Sequence, residues 1–148
     1  MTTDYENPWS FNGKPFNTED IEKYEGFVYV IISQITLRYY IGRKYFYSRR
    51  KKKGATRRTK TESDWKVYYG SNKTLQDEVK EHGKENYKRV ILSLHTTKGD
   101  VNYEEVKQQF LQNVLENDNY YNDNINGKWY RKADHIVKGR LLNEDFRF

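Results

Sequence analysis

The chain has 148 residues, with 27 Lys and Arg against 21 Asp and Glu, a formal charge of +6, and no cysteine. That length suits one domain, and the lack of cysteine excludes a disulfide framework, thiol catalysis and Cys-ligated zinc. No apolar run approaches the ~18 residues of a membrane span, and the opening "MTTDYENPWSFNG" has neither the charged nor the apolar region of a secretory signal, so the expected location is cytoplasmic.

Residues 1–25 are polar around Trp9, Phe11 and Phe16 and are expected to form an arm packed by those rings. "GFVYVII", 26–32, and "LRYYIGRKYF", 37–46, are rich in β-branched and aromatic residues and read as a hairpin turning near Ser33–Thr36. A turn centred there sets Tyr29 opposite Tyr40, on one face of the sheet. The next stretch, 43–60, carries ten Lys or Arg and no acid, leaving a net −4 for the rest of the chain. So local a positive patch points to a polyanionic partner. Within it, 46–53 is expected to be a short helix and 54–61 a basic loop.

"SDWKVYYGS" is a bridge with buried rings. "SNKTLQDEVKEHG", 71–83, has helix punctuation: a Ser/Asn start, Leu75 and Val79 one turn apart, and Gly83 as the stop. "YKRVILSLH", 87–95, reads as a third strand. Residues 101–118 read as a helix whose stripe is Val106, Phe110 and Val114, with Tyr103, Leu111 and Leu115 beside it. The expected order is β-β-α-α-β-α, an α+β fold with a small sheet, in which 26–125 form the main domain and 126–148 a tail.

Hydrolysing a phosphodiester needs an in-line water, neutralised phosphate charge and help for the leaving oxygen. A phenol has a pKa near ~10 and needs nearby positive charge to act as a base; Arg43, Lys44, Arg49 and Arg50 lie within ten residues of Tyr40. Arginine clamps phosphate in a bidentate way that lysine cannot match, and one carboxylate can hold a Mg²⁺ ion that keeps several waters.

Tyr29, ten intervening residues, Tyr40-Ile41-Gly42, Arg50 eight positions beyond the glycine, a glutamate on a later helix and then an asparagine together resemble the GIY-YIG nuclease family. "EHGKENYKRVILSLH" is similar to the helix end and third strand of the family's phage intron homing endonucleases. "YIGRKYFYSRRKKK…ESDWKVYYGSN" resembles its small phage-encoded Seg-like homing endonucleases. In the first motif Phe27 stands in the glycine's place, next to Gly26. The resemblance covers about residues 26–125 and implies a three-stranded antiparallel sheet flanked by helices, with N- and C-terminal extensions.

The resemblance further implies a Mg²⁺-dependent (or Mn²⁺-dependent) DNA endonuclease acting on double-stranded DNA in the host cytoplasm, either as a homing enzyme or against competitor or host DNA. It assigns Tyr29 as general base, Tyr40 as orienter of the water, Arg50 as stabiliser of the pentacovalent phosphate, Glu105 as metal ligand with Glu104 as rival, and Asn122 as support. Lys44 is an auxiliary that would lower the pKa of Tyr29. Glu105 is expected on the helix flank facing the hairpin, with Phe110 and Leu111 in the core. Arg43, Arg49, Lys51, Lys52, Lys53, Arg57, Arg58 and Lys60 are expected to contact the DNA backbone, giving affinity and salt dependence rather than sequence choice. One such site cuts one strand, so a double-strand break requires a homodimer or two encounters. The alternative is a nucleic-acid-binding protein that keeps the scaffold without cutting, and the basic patch alone does not separate DNA from RNA.

Overall fold

The computed structural model describes residues 3–132, 138 and 139; most of the expected tail, 126–148, therefore lies outside the described residues. Among the described residues nine strands and two α-helices follow in chain order: β1 (Ser10–Phe11), β2 (Lys14–Pro15), β3 (Gly26–Ser33), β4 (Tyr39–Tyr45), β5 (Tyr47–Lys51), β6 (Arg58–Glu62), α1 (Lys73–His82), β7 (Tyr87–His95), α2 (Lys98–Leu111), β8 (Asn124–Ile125) and β9 (Trp129–Tyr130). The main sheet has the order β2-β1-β7-β3-β4. Its centre is the expected antiparallel trio β7-β3-β4, to which the N-terminal residues add β1, parallel to β7, and β2.

Alternation along β3 divides the interior in two. Phe27, Tyr29 and Ile31 face an aromatic cluster with Trp9, Phe16, Phe46, Trp65 and Tyr87, which also takes in Leu75 and Val79 of α1. Val28 faces the other way, into a smaller cluster with Ile41, Val101, Val114 and Ile125. Helix α1 follows its sequence punctuation: the Asn72 side chain accepts the Leu75 N–H at its start, and the Gly83 N–H donates to Val79 at its end. Arg89 is fully buried in the aromatic cluster. Among the described residues it pairs with no carboxylate; its guanidinium donates to the carbonyls of Glu6, Asn7 and Tyr68 and stacks over Trp9 and Tyr69, tying the N-terminal arm to the 65–70 bridge.

Three sequence expectations change. Residues 46–53 are not helical; β5 pairs with β6 from Tyr47↔Glu62 to Lys51↔Arg58, so the expected loop 54–61 is half of a hairpin. No apolar stripe exists there for a helix to bury, and extended strands spread the like charges apart. The hairpin is fastened by Arg49 to Glu25 at 2.7 Å and by Lys60 over the Tyr47 ring at 4.0 Å. The β3–β4 register pairs Tyr29 with Gly42, not with Tyr40. The turn between Ser33 and Tyr39 is longer than expected, with Leu37 at φ +61°, and the Ser33 N–H donates to the Arg38 carbonyl. A slip of two residues keeps each side chain on its face, so Tyr29 and Tyr40 are diagonal neighbours on the same side. The third change is in α2, which starts at Lys98 and ends at Leu111. Its buried positions are Val101, Glu105 and Gln109, and the expected core residues Tyr103, Phe110 and Leu111 are exposed.

Strand β4 is the outer edge of the sheet, and its free backbone groups are answered one after another. The Tyr39 N–H donates to the Asn119 carbonyl, and the Tyr39 carbonyl accepts the Tyr121 N–H. The Asn122 side chain then takes the place of a strand: its Oδ1 accepts the Ile41 N–H at 3.1 Å and its Nδ2 donates to the Ile41 carbonyl at 2.9 Å, joined there by Gln109 Nε2. Asn122→Ala strands the buried Ile41 N–H, an unmade hydrogen bond costing about 1–3 kcal/mol. Melting followed by circular dichroism should show a Tm lower by roughly 4–12 °C, at about 4 °C per kcal/mol for a chain of this size. An unchanged Tm would mean that water replaces the amide.

Candidate active site

A cleft of about 530 Å³ runs along the β4 edge, between the aromatic cluster, α2 and the β5–β6 hairpin, and its walls include Tyr29, Tyr40, Arg43, Lys44, Arg50, Tyr68, Ser71 and Glu105. The five residues expected to carry catalysis, Tyr29, Tyr40, Lys44, Arg50 and Glu105, all line it. They arrive from both sides of the sheet. The phenols come from the aromatic face and the carboxylate from α2 on the other, and they meet where β4 carries Gly42 and no side chain. A Cβ at position 42 would fall on the Tyr29 hydroxyl, 2.7 Å from Tyr29 Cζ and 3.1 Å from Tyr40 Cε2. The glycine of "YIG" is therefore the space the Tyr29 ring occupies. Gly70, at φ +86°, plays a similar part for Tyr40, with 3.1 Å between its virtual Cβ and Tyr40 Cε2.

The Tyr29 ring is 6.3 Å from that of Tyr40 and 6.1 Å from that of Tyr68. Burial, reinforced by Tyr40, Tyr68 and Glu105, holds its phenol well above the ordinary range. Burial likewise pushes Tyr40 up to about 12, against a hydrogen bond with Ser71 that lowers it; the two hydroxyls are 2.9 Å apart. The expected lowering of Tyr29 by Lys44 is thus not what this environment produces. Lys44 Nζ instead lies 2.5 Å from Asp64 Oδ1 and 4.0 Å from the centre of the Tyr68 ring.

Glu105 is buried, and Glu104 lies outside the cleft, accepting a hydrogen bond from Gln108. Arg43, expected on the DNA backbone, turns inward, with Nη1 2.6 Å from Glu105 Oε1. Burial raises the carboxyl of Glu105 above the usual range, and the Arg43 guanidinium and backbone N–H pull it back. Of the neighbouring arginines, Arg49 is taken by Glu25, whereas Arg50 lines the cleft, exposed. Lys51, Lys52, Lys53, Arg57, Arg58 and Lys60 are all exposed on the hairpin. Asn122 acts on the site through β4, since both ends of its amide are used by Ile41.

Sequence reasoning missed Tyr68, Ser71 and Gln109 as parts of the site. "YYGS" did hold a signal: its glycine sits two residues after one cleft tyrosine and directly before Ser71. Gln109 had none, because a buried glutamine in an amphipathic helix looks like surface.

Among the described residues no group of three or more His, Cys, Asp or Glu could enclose a metal. One carboxylate in an open cleft suits a hard cation that retains most of its waters and takes the rest of its shell from substrate phosphate; Glu105 fits that description. Among the described residues no helix is long and apolar enough to cross a membrane.

A family model described as "Putative endonuclease segE, GIY-YIG domain" matches residues 9–125. No curated protein and no solved structure matches the chain.

Proposed function

Since the chain belongs to the GIY-YIG family of segE-type endonuclease domains, we propose that it cuts DNA by hydrolysing phosphodiester bonds in the cleft over Gly42, with Mg²⁺ or Mn²⁺ at Glu105. The convergence of Tyr29, Tyr40, Arg50 and Glu105 on that one cleft carries the reading. A divalent cation at Glu105 would neutralise phosphate charge and make nearby water more acidic.

The chain's own groups have separable tasks. Tyr29 and Tyr40 keep their protons at neutral pH and so orient the attacking water as hydrogen-bonding groups; Tyr29 serves as base only once added positive charge offsets its burial. Arg50 is exposed and among the described residues makes no ion pair, so it is free to fork onto the scissile phosphate and its developing charge. Arg43 keeps the buried Glu105 compensated until a cation arrives. The β5–β6 hairpin holds the DNA backbone with its exposed lysines and arginines, which favours a polyanion whatever its sequence. Phage origin, and a homing role or a role against competitor DNA, accord with the Seg-like resemblance.

Incubating supercoiled plasmid with the protein in Mg²⁺ and in EDTA tests this. Relaxed circles should accumulate in Mg²⁺ and not in EDTA, and Tyr29→Phe should slow them. Salt-sensitive DNA binding with no cutting in Mg²⁺ or Mn²⁺ would instead make the chain a binding protein on the same scaffold.

A further inference from the structure

Beyond the cleft a second recess of about 310 Å³ shares Tyr40 and Glu105 with it and is closed by Asp123 and by Asn124, Asn126 and Gly127, the start and turn of the β8–β9 hairpin. The hairpin is firmly based. Ile125 is buried in the smaller core cluster, and Arg131 Nη2 donates to the carbonyls of Val114 and Asn122 at 2.5 and 2.8 Å. Asn126 and Gly127 both have positive φ, as a tight hairpin turn requires. On this fixed base, Trp129 and Tyr130 stand 47% and 59% exposed. The flanking Lys128 and Lys132 are exposed and, among the described residues, make no ion pair. Trp129 leans on Phe110 of α2 with ring centres 5.2 Å apart, so its orientation is fixed on one side and open on the other.

We propose that the β8–β9 hairpin is a second nucleic-acid contact, on which Trp129 and Tyr130 stack against unpaired bases of the strand leaving the cleft while Lys128 and Lys132 meet its phosphates. Flat rings held out of the core beside exposed cations are the elements of a single-strand platform, because every base has a π-face. Lys128, Trp129, Tyr130 and Lys132 line a further recess of about 280 Å³ that shares Gln109 with the one beside Glu105, which gives such a strand a path away from the reacting phosphate. The inference rests on the nuclease reading, since the cleft defines where the strand comes from.

The three tryptophans supply the test: Trp9 and Trp65 are 0% exposed, which leaves Trp129 as the accessible one. Wild-type protein in EDTA is titrated with 5′-labelled oligothymidine of 20 nucleotides and, separately, with a mixed-sequence duplex of the same length. Label anisotropy follows binding and tryptophan emission follows stacking. Saturable quenching by the single strand, stronger than by the duplex, is expected. Trp129→Phe should abolish the quenching with little loss of binding, and Trp129→Ala or the Lys128→Glu/Lys132→Glu pair should weaken single-strand binding about tenfold. Binding without quenching, or equal quenching by both ligands, overturns the platform and leaves the nuclease reading intact. No anisotropy change with either ligand overturns both.

Discussion

Replacing Gly42 by alanine is expected to slow plasmid nicking by a factor on the order of 10² or more. The new methyl would clash with the Tyr29 hydroxyl and with Cζ of its ring, 2.7 Å away. The β4 backbone cannot back away, because Gly42 is registered against Tyr29 itself in the β3–β4 ladder. Nor can the ring sink inward, with Trp9 at 5.0 Å, Phe27 at 5.9 Å and Tyr68 at 6.1 Å between ring centres. The phenol therefore swings out of the cleft, and misplacement of a catalytic group by an ångström costs about 10²-fold. Overpacking adds about 1–3 kcal/mol of destabilisation, so melting must be measured beside the nicking rate. Gly99→Ala is the matched control: a Cβ there meets nothing within 4 Å, and both rate and Tm should hold. Full activity in Gly42→Ala would remove Tyr29 from the reaction centre.

Glu105→Gln is expected to reduce nicking by a factor on the order of 10³ while leaving the fold as stable as before. The sign follows from burial. The carboxyl of Glu105 is held above its ordinary range, so its charged form is the disfavoured one in the folded state, and stability falls as pH rises through that range. A neutral amide of the same shape removes that penalty at neutral pH. Against this stands the lost partner of Arg43, whose side chain is 36% exposed and stays hydrated. The two effects oppose each other, and Tm should stay within a few degrees of the parent. Nicking rates for Glu105→Gln and Glu104→Gln, together with Mn²⁺ binding followed by electron spin resonance, check the assignment. Glu104→Gln should match the parent in both. If Glu105→Gln still binds Mn²⁺ and cuts normally, the ion is held elsewhere.

Where sequence and structure agree, the information was local. The third strand and the capped helix α1 need only their own residues to be recognised, through alternation in one and a side-chain cap with a closing glycine in the other. The tyrosine spacing also located the cleft, because a register error of two residues does not change which face a side chain occupies. The failures involve residues far apart in the chain. The β5–β6 hairpin depends on pairing across a charged turn and on Glu25, more than twenty residues upstream. Leu37 in a left-handed turn conformation carries no compositional mark, so the β3–β4 loop was read too short. In α2 the apolar pattern pointed to Phe110, but the side facing the sheet must also serve the β4 edge, and that selects Glu105 and Gln109. Arg89 was invisible for a related reason, since only the carbonyls folded around it make its burial affordable. The β8–β9 turn was legible as Asn-Gly, yet it lay in a stretch read as tail.

The series of partners along β4 also governs how the protein behaves in solution. Tyr39 is covered by backbone, Ile41 by the side chains of Asn122 and Gln109, and Arg43 by Glu105. An uncovered edge strand is a template for another copy's strand. The side chains that cover β4 thus keep one molecule's sheet from continuing into the next, and variants at Gln109 or Asn122 should be assessed for self-association by light scattering before any loss of cutting is attributed to the cleft.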